Sequence, residues 1–123
     1  MSNEPVRIET AIKNHLAPIL RTDGFTGSGR PFRRVRGEYI HVVNVQGSRY
    51  GGQFAINLAI QPVFIPDVLG NQPNTKKITE SECEFRRRLS ESGADQWWKY
   101  DDSKSLEIAM NDAVNLYLKF GRV

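Results

Sequence analysis

The sequence has almost no cysteine. Cys83 stands alone among 123 residues. No disulfide can close within the chain, which sets the expectation of a reducing, cytoplasmic compartment. Histidine is nearly as scarce, with only His15 and His41. There is no His-x-His, no Cys-x-x-Cys and no acidic calcium loop. Structural metals need such ligands at short fixed spacings, so no metal and no cofactor is expected. No apolar run approaches the roughly 20 residues a membrane helix needs. The opening Met1-Ser2-Asn3-Glu4-Pro5 also lacks the basic start and apolar stretch of a secretory signal.

Catalytic motifs are missing too. Neither a Gly-x-Ser-x-Gly elbow nor a Ser-x-x-Lys is present, and the chain is not expected to be an enzyme. Cys83 with His41 is a conceivable nucleophile and base, but a lone thiol spaced with apolar neighbours reads as a small buried hydrophobe. Asp101-Asp102 precede a helix, where carboxylates cap. Gly27-Ser28-Gly29-Arg30 lacks the Lys-Ser/Thr ending of a phosphate loop and leads into a strand. Arg86-Arg87-Arg88 is offset by Glu82, Glu84, Glu91 and Asp95, so nucleic acid is not the expected partner.

What is present is an ordinary globular composition, 39% hydrophobic and 25% charged. Its length suits one domain over residues 1–123 with a core of its own. The net charge of +3 is unevenly placed. Residues 21–50 hold six arginines against two acids. Clustered charge of one sign concentrates a partner of the other, although such blocks are often only solvated surface.

Periodicity supplies the elements. Ile8, Ala11, Ile12, His15, Leu16, Ile19 and Leu20 form one face of a helix over 5–22, opened by Pro5, strained by Pro18 and capped at Gly24. Phe32–Arg36, Tyr39–Gln46 and Gln53–Gln61 read as strands joined by tight turns. In the last, Phe54, Ile56, Leu58 and Ile60 alternate with Ala55, Asn57, Ala59 and Gln61. Residues 62–79 form a long, proline-rich connection. Residues 82–89 read as a helix or a strand by periodicity. The strand phase puts Cys83, Phe85, Arg87 and Leu89 on one face and sends Phe85 to the core. Trp97-Trp98 looks like a short extended anchor. A second helix, 103–120, carries Leu106, Ala109, Met110, Ala113, Leu116, Tyr117 and Phe120 as its stripe, with Gly121 as its stop.

The expected fold is therefore α+β in two layers. A roughly four-stranded antiparallel sheet carries an N-terminal and a C-terminal helix on one face. The other face is left to solvent, the long loop or a partner.

Several stretches, in this order and spacing, resemble those of a bacterial family of domains of unknown function, family 4304. They are Leu20 to Phe25 with Phe32-Arg33, Val43 to Ser48, Phe54 to Leu58, Cys83 to Leu89, and Trp97-Trp98. Ser90 departs from the pattern, which has glycine after the arginine-rich strand. The resemblance implies a small cytoplasmic α+β protein and favours the strand reading of 82–89. It implies no activity.

One constellation follows from the phases. Asn57 lies between Ala55 and Ala59 on the side away from the helices, where Asn44 with Gln46 and Arg86 with Arg88 share faces. Amide and guanidinium groups meeting above alanines suit a carboxylate, a phosphate or a peptide edge. They also suit mutual satisfaction, as buried polar groups usually arrange. Candidate binding residues are Gln46, Ser48, Asn57, Arg86, Arg88 and Trp98. The expected role is a non-enzymatic protein-interaction module, for instance a toxin-neutralising one. The alternative is a binder of an anionic small molecule or nucleic acid through that face.

Overall fold

The computed structural model describes residues 7–90 and 95–121. The Pro5 first turn, the Glu91 charge and the Phe120 side chain lie outside the described residues. Among them no helix is long and apolar enough to cross a membrane.

The N-terminal rod consists of α1 (Ile8–Ala11), a π turn (Ile12–Leu16) and α2 (Ala17–Thr22). Pro18 causes the middle piece. It has no N–H to give the preceding turn, and its ring crowds the carbonyl four residues back. The helix widens by one residue, so that the Ala17 N–H meets the Ile12 carbonyl. The apolar stripe survives, with Ile8, Ala11, Ile12, Leu16, Ala17 and Leu20 all buried. Gly24, at φ +93°, ends the rod. The Phe25 N–H bonds the Leu20 carbonyl at 2.9 Å and the Gly24 N–H bonds that of Arg21 at 3.0 Å. These are the two bonds of a glycine-terminated helix.

Among the described residues the sheet has six strands rather than about four: β1 (Thr26–Gly27), β2 (Pro31–Arg36), β3 (Tyr39–Gly47), β4 (Gln53–Pro62), β5 (Phe85–Arg88) and β6 (Trp98–Lys99). All pairings are antiparallel, in the order β1-β2-β3-β4-β5, and β6 pairs with the first residues of β4. The extra strands are two-residue pieces, too short to leave a period in the sequence. The strand expected over 82–89 is shorter. Glu80–Glu82 is a single 3-10 turn closed by a reciprocal Thr79–Glu82 cap, and β structure starts at Phe85.

Register fixes the faces. Phe32, Val43, Leu58 and Arg87 stand side by side, as do Arg34, His41, Ile60 and Phe85. These look toward the helices. Asn44, Asn57 and Arg88 align on the opposite face, with Ala59 and Arg86 next along.

α3 (Ser103–Leu116) continues as a π turn, Tyr117–Gly121, so helical structure runs through Gly121 instead of stopping before it. Asp102 caps it, accepting from the Ser105 N–H at 2.7 Å while Ser105 Oγ accepts from the Asp102 N–H at 3.0 Å. Both helices pack over one end of the sheet. Leu16, Leu20, Leu106, Met110 and Ala113 meet Phe32, Val45, Phe54, Ile56 and Leu89 in the main core. His15 stays half-buried at its edge, 3.3 Å from Glu107.

The opposite face has its own small core. Ile40, Val42 and Ala59 pack with Ile78 and Cys83, which the long connection brings across. Gln61 holds that connection. It is fully buried, its Nε2 donating to the carbonyls of Pro62, Ile65 and Pro66 and its Oε1 accepting from the Glu84 N–H at 2.7 Å. Arg33 adds a bond to the Ile78 carbonyl at 2.6 Å. Two expectations are corrected here. Cys83 is buried, but on the loop side and out of phase with Leu89. Phe85 faces the helix side yet is 59% exposed, because the helices end before reaching it.

Candidate functional site

Among the described residues, the helices pack over one end of one sheet face and the long connection over the other end of the opposite face. Two quarters carry neither. The first, on the face away from the helices, carries the expected polar group. Asn57 Nδ2 donates to Gln46 Oε1 at 3.0 Å and to Asn44 Oδ1 at 3.4 Å. Arg88 Nη1 donates to the same Gln46 oxygen at 3.2 Å. The Arg88 Nε pairs with Asp95 at 2.9 Å, and its guanidinium lies 4.9 Å over the Trp97 ring. Trp97 Nε1 donates to the other Asp95 oxygen at 2.9 Å. Each member thus has a partner within the web. Arg86 shares the face, opposite Ala59, and is exposed without a hydrogen bond to the others.

Ser48 and Trp98 lie elsewhere. Ser48 shapes the β3–β4 turn: its N–H bonds the Gln53 carbonyl and its Oγ accepts from the Tyr50 N–H. Trp98 is buried in the main core, stacked on Phe54 with centroids 5.5 Å apart. Trp97 takes the polar-side position instead. Adjacent residues of a strand face opposite ways, so only one of the two tryptophans can reach Arg88.

The second open quarter is on the helix side, beyond the helix ends. A cleft of about 150 Å³ is lined by Phe25, Val43, Leu58, Ile60, Phe85 and Tyr117, with Arg34 and His41 along one wall. Three large aromatics stand exposed around it or on the same end of the sheet: Phe85, Tyr39 at 45% and Phe64 at 62%, the last two in edge contact at 6.4 Å. Arg36 and Arg87 lie in the phase that faces this side and are exposed. Sequence reading missed this site. The signal available was the alternation Phe32, Arg34, Arg36, which puts cations on an apolar face.

The wall is electrostatically ordered. Arg34, 8% exposed, donates through Nε to His41 Nδ1 at 3.0 Å and through Nη1 to the Asp23 carbonyl at 2.8 Å, and lies 4.6 Å over the Phe25 ring. Burial lowers the His41 pKa, and Arg34 and Arg36 lower it further. His41 is therefore neutral near pH 7 with Nδ1 as acceptor. Tyr117 Oη donates to Asp23 Oδ2 at 2.9 Å, closing the cleft's helical end.

Cys83 and His41, the nucleophile and base the sequence offers, do not come together. His41 faces the helix side and Cys83 lies in the loop-side core, so the sheet separates them. Burial, with Glu80 and Glu82 nearby, pushes the Cys83 thiol up to about 11. Among the described residues no three His, Cys, Asp or Glu side chains gather as a metal site. The arrangement suits holding an apolar group beside an acidic one.

The model of a family described as a domain of unknown function, DUF4304, matches residues 16–118. No curated protein and no solved structure matches the chain.

Proposed function

The chain belongs to the DUF4304 family, and we propose that it is a non-enzymatic interaction module that grips a partner protein in the helix-side cleft. The partner offers an apolar side chain flanked by acids. The apolar group enters between Ile60, Phe85 and Leu58, and the acids meet Arg36 and Arg87. One observation carries this reading. A strand face built for burial, with Phe85 59% exposed and Ile60 partly so, is left uncovered beside arginines. Large exposed apolar surface rimmed by charge is what binding sites present.

The alternative is an anionic ligand on Gln46, Asn57, Arg86 and Arg88. The 59% exposure of Phe85 favours the cleft.

Selection from a random displayed-peptide library tests the choice. The expected result is enrichment of acidic peptides bearing Leu, Ile or Phe, with binding lost in Phe85→Asp and retained in Arg88→Ala. Enrichment of peptides indifferent to Phe85→Asp overturns the cleft reading. Loss confined to Arg88→Ala with an unchanged melting temperature moves the site to the polar face.

A further inference from the structure

β5 is the last strand of the sheet order, and among the described residues its outer edge meets no other strand. Its backbone phase is set by the pairing with β4. The Leu89 N–H bonds the Ile56 carbonyl at 2.8 Å, and Arg87 and Phe85 stand opposite Leu58 and Ile60 in the same phase. Hydrogen-bonded and non-bonded positions alternate along an antiparallel pair. The N–H and C=O groups of Arg86 and Arg88 therefore point away from β4. Among the described residues no hydrogen bond reaches those backbone groups. An unpaired edge of this kind is a template for another strand.

The side chains of this edge select what adds to it. Phe85 and Arg87 lie on the cleft side, Arg86 on the other, and Phe85, Arg86 and Arg87 are all exposed. A second copy would set arginines against arginines across the junction, and like charges directly opposite are destabilising. An acidic strand meets a cation on each face and an aromatic ring at the cleft.

We propose that an acidic, extended segment of a partner protein adds as a strand to the outer edge of β5, bonding the backbone of Arg86 and Arg88 while one apolar residue enters the cleft beside Phe85. The proposal rests on the cleft reading and specifies how the partner is held. Main-chain bonds give the affinity and alternate side chains the selectivity, as in other strand additions. Acidic residues of both phases are used, one set beside Arg87 and the other beside Arg86.

The probe is a synthetic peptide of about ten residues, long enough to span the edge, with glutamate throughout one strand phase and glutamate interleaved with leucine or phenylalanine in the other. Amide exchange of the full chain is followed by NMR with and without it. The expected result is slowing of the Arg86 and Arg88 amides by at least about tenfold, the protection that a new backbone bond confers, with no comparable change at Val42. N-methylation of alternate peptide residues should abolish binding in one phase and spare it in the other. Binding that is lost in Phe85→Asp but leaves Arg86 and Arg88 exchange unchanged overturns the edge and keeps the cleft. Absence of peptide binding overturns both. A single-stranded oligonucleotide that protects the same amides as well as the peptide does overturns the choice of a protein partner.

Discussion

The two open quarters of the sheet differ in how far each is satisfied from within. On the polar quarter, Asn57, Gln46, Arg88, Asp95 and Trp97 supply one another with partners. On the helix side, Phe85 and Ile60 belong to a strand face meant for burial, yet among the described residues no helix or loop covers them. A cluster that closes on itself contributes to stability. A surface left over from folding is available to something else. Residues of similar position in the sheet thus divide into structural and interactive ones by what lies over them.

The largest test of this contrast compares the covered and open ends of one sheet face. Phe54→Ala or Ile56→Ala, both fully buried in the main core, should each lower stability by about 2–5 kcal/mol, the cost of emptying a packed core site. Phe85→Ala should change it by less than about 0.5 kcal/mol, as exposed substitutions do. Urea unfolding of the three variants decides it, and a large loss at Phe85 would mean that its quarter is closed after all.

Gln61→Leu tests the loop-side cover. It removes the donor to three carbonyls and the acceptor for the Glu84 N–H. The loss should be about 2–3 kcal/mol, since buried backbone groups are left unpaired. Limited proteolysis should then cut within residues 62–79 before the rest of the chain. Equal resistance to wild type would show that Ile78 and Cys83 alone anchor the connection.

Asn57→Ala probes the polar quarter at smaller scale. Asn57 is nearly buried and bonds both Gln46 and Asn44, so about 1–2 kcal/mol is expected. No loss of stability, with loss of binding to an anion, would instead make the cluster a site.

The cleft wall has a pH signature of modest size. His41 has a folded pKa below its ordinary 6.5, so the unfolded chain takes up its proton first as pH falls. The stability from neutral His41 is full above about 6.5 and is lost as pH drops from there through the lowered folded value. Arg34 then also loses the Nδ1 acceptor. His41→Asn should flatten this part of the wild-type stability profile between about pH 7 and 5, the window in which histidine titrates. Identical slopes in the two proteins would separate His41 from Arg34.

The smallest effect concerns Cys83, whose thiol is buried and pushed up to about 11. Labelling by a thiol reagent should follow global unfolding, adding negligible modification to the native protein over minutes.

Much of the fold was legible because it is written in short-range patterns. The 3.6-residue stripes of Ile8–Leu20 and Leu106–Tyr117 gave both helices, and alternation over Phe54–Ile60 gave the central strand and its faces. The same period of two placed Gln46, Asn57, Arg86 and Arg88 together on the far side, where register later joined Asn57 to Arg88. Asp102 and Gly24 were readable as caps because capping is local chemistry. Phase alone could not say which exposed and buried partners a strand residue would meet. Phase sends Phe85 to the core with Cys83 on its face, and the sequence offers Trp98 for the site, whereas the fold exposes Phe85, turns Cys83 to the loop side and sets Trp97 beside Arg88.

What the sequence determined by itself is the set of amphipathic elements, since each needs only its own neighbours to choose a face. What only the tertiary structure decided is where each face stops being covered. That depends on the reach of the helices, on Gln61 pinning a loop 62–79 across the opposite side, and on β5 and β6 sharing one edge of β4. Coverage is a long-range property, fixed by how separate elements end against one another. The cleft beside Phe85 exists because the helical layer ends short of it.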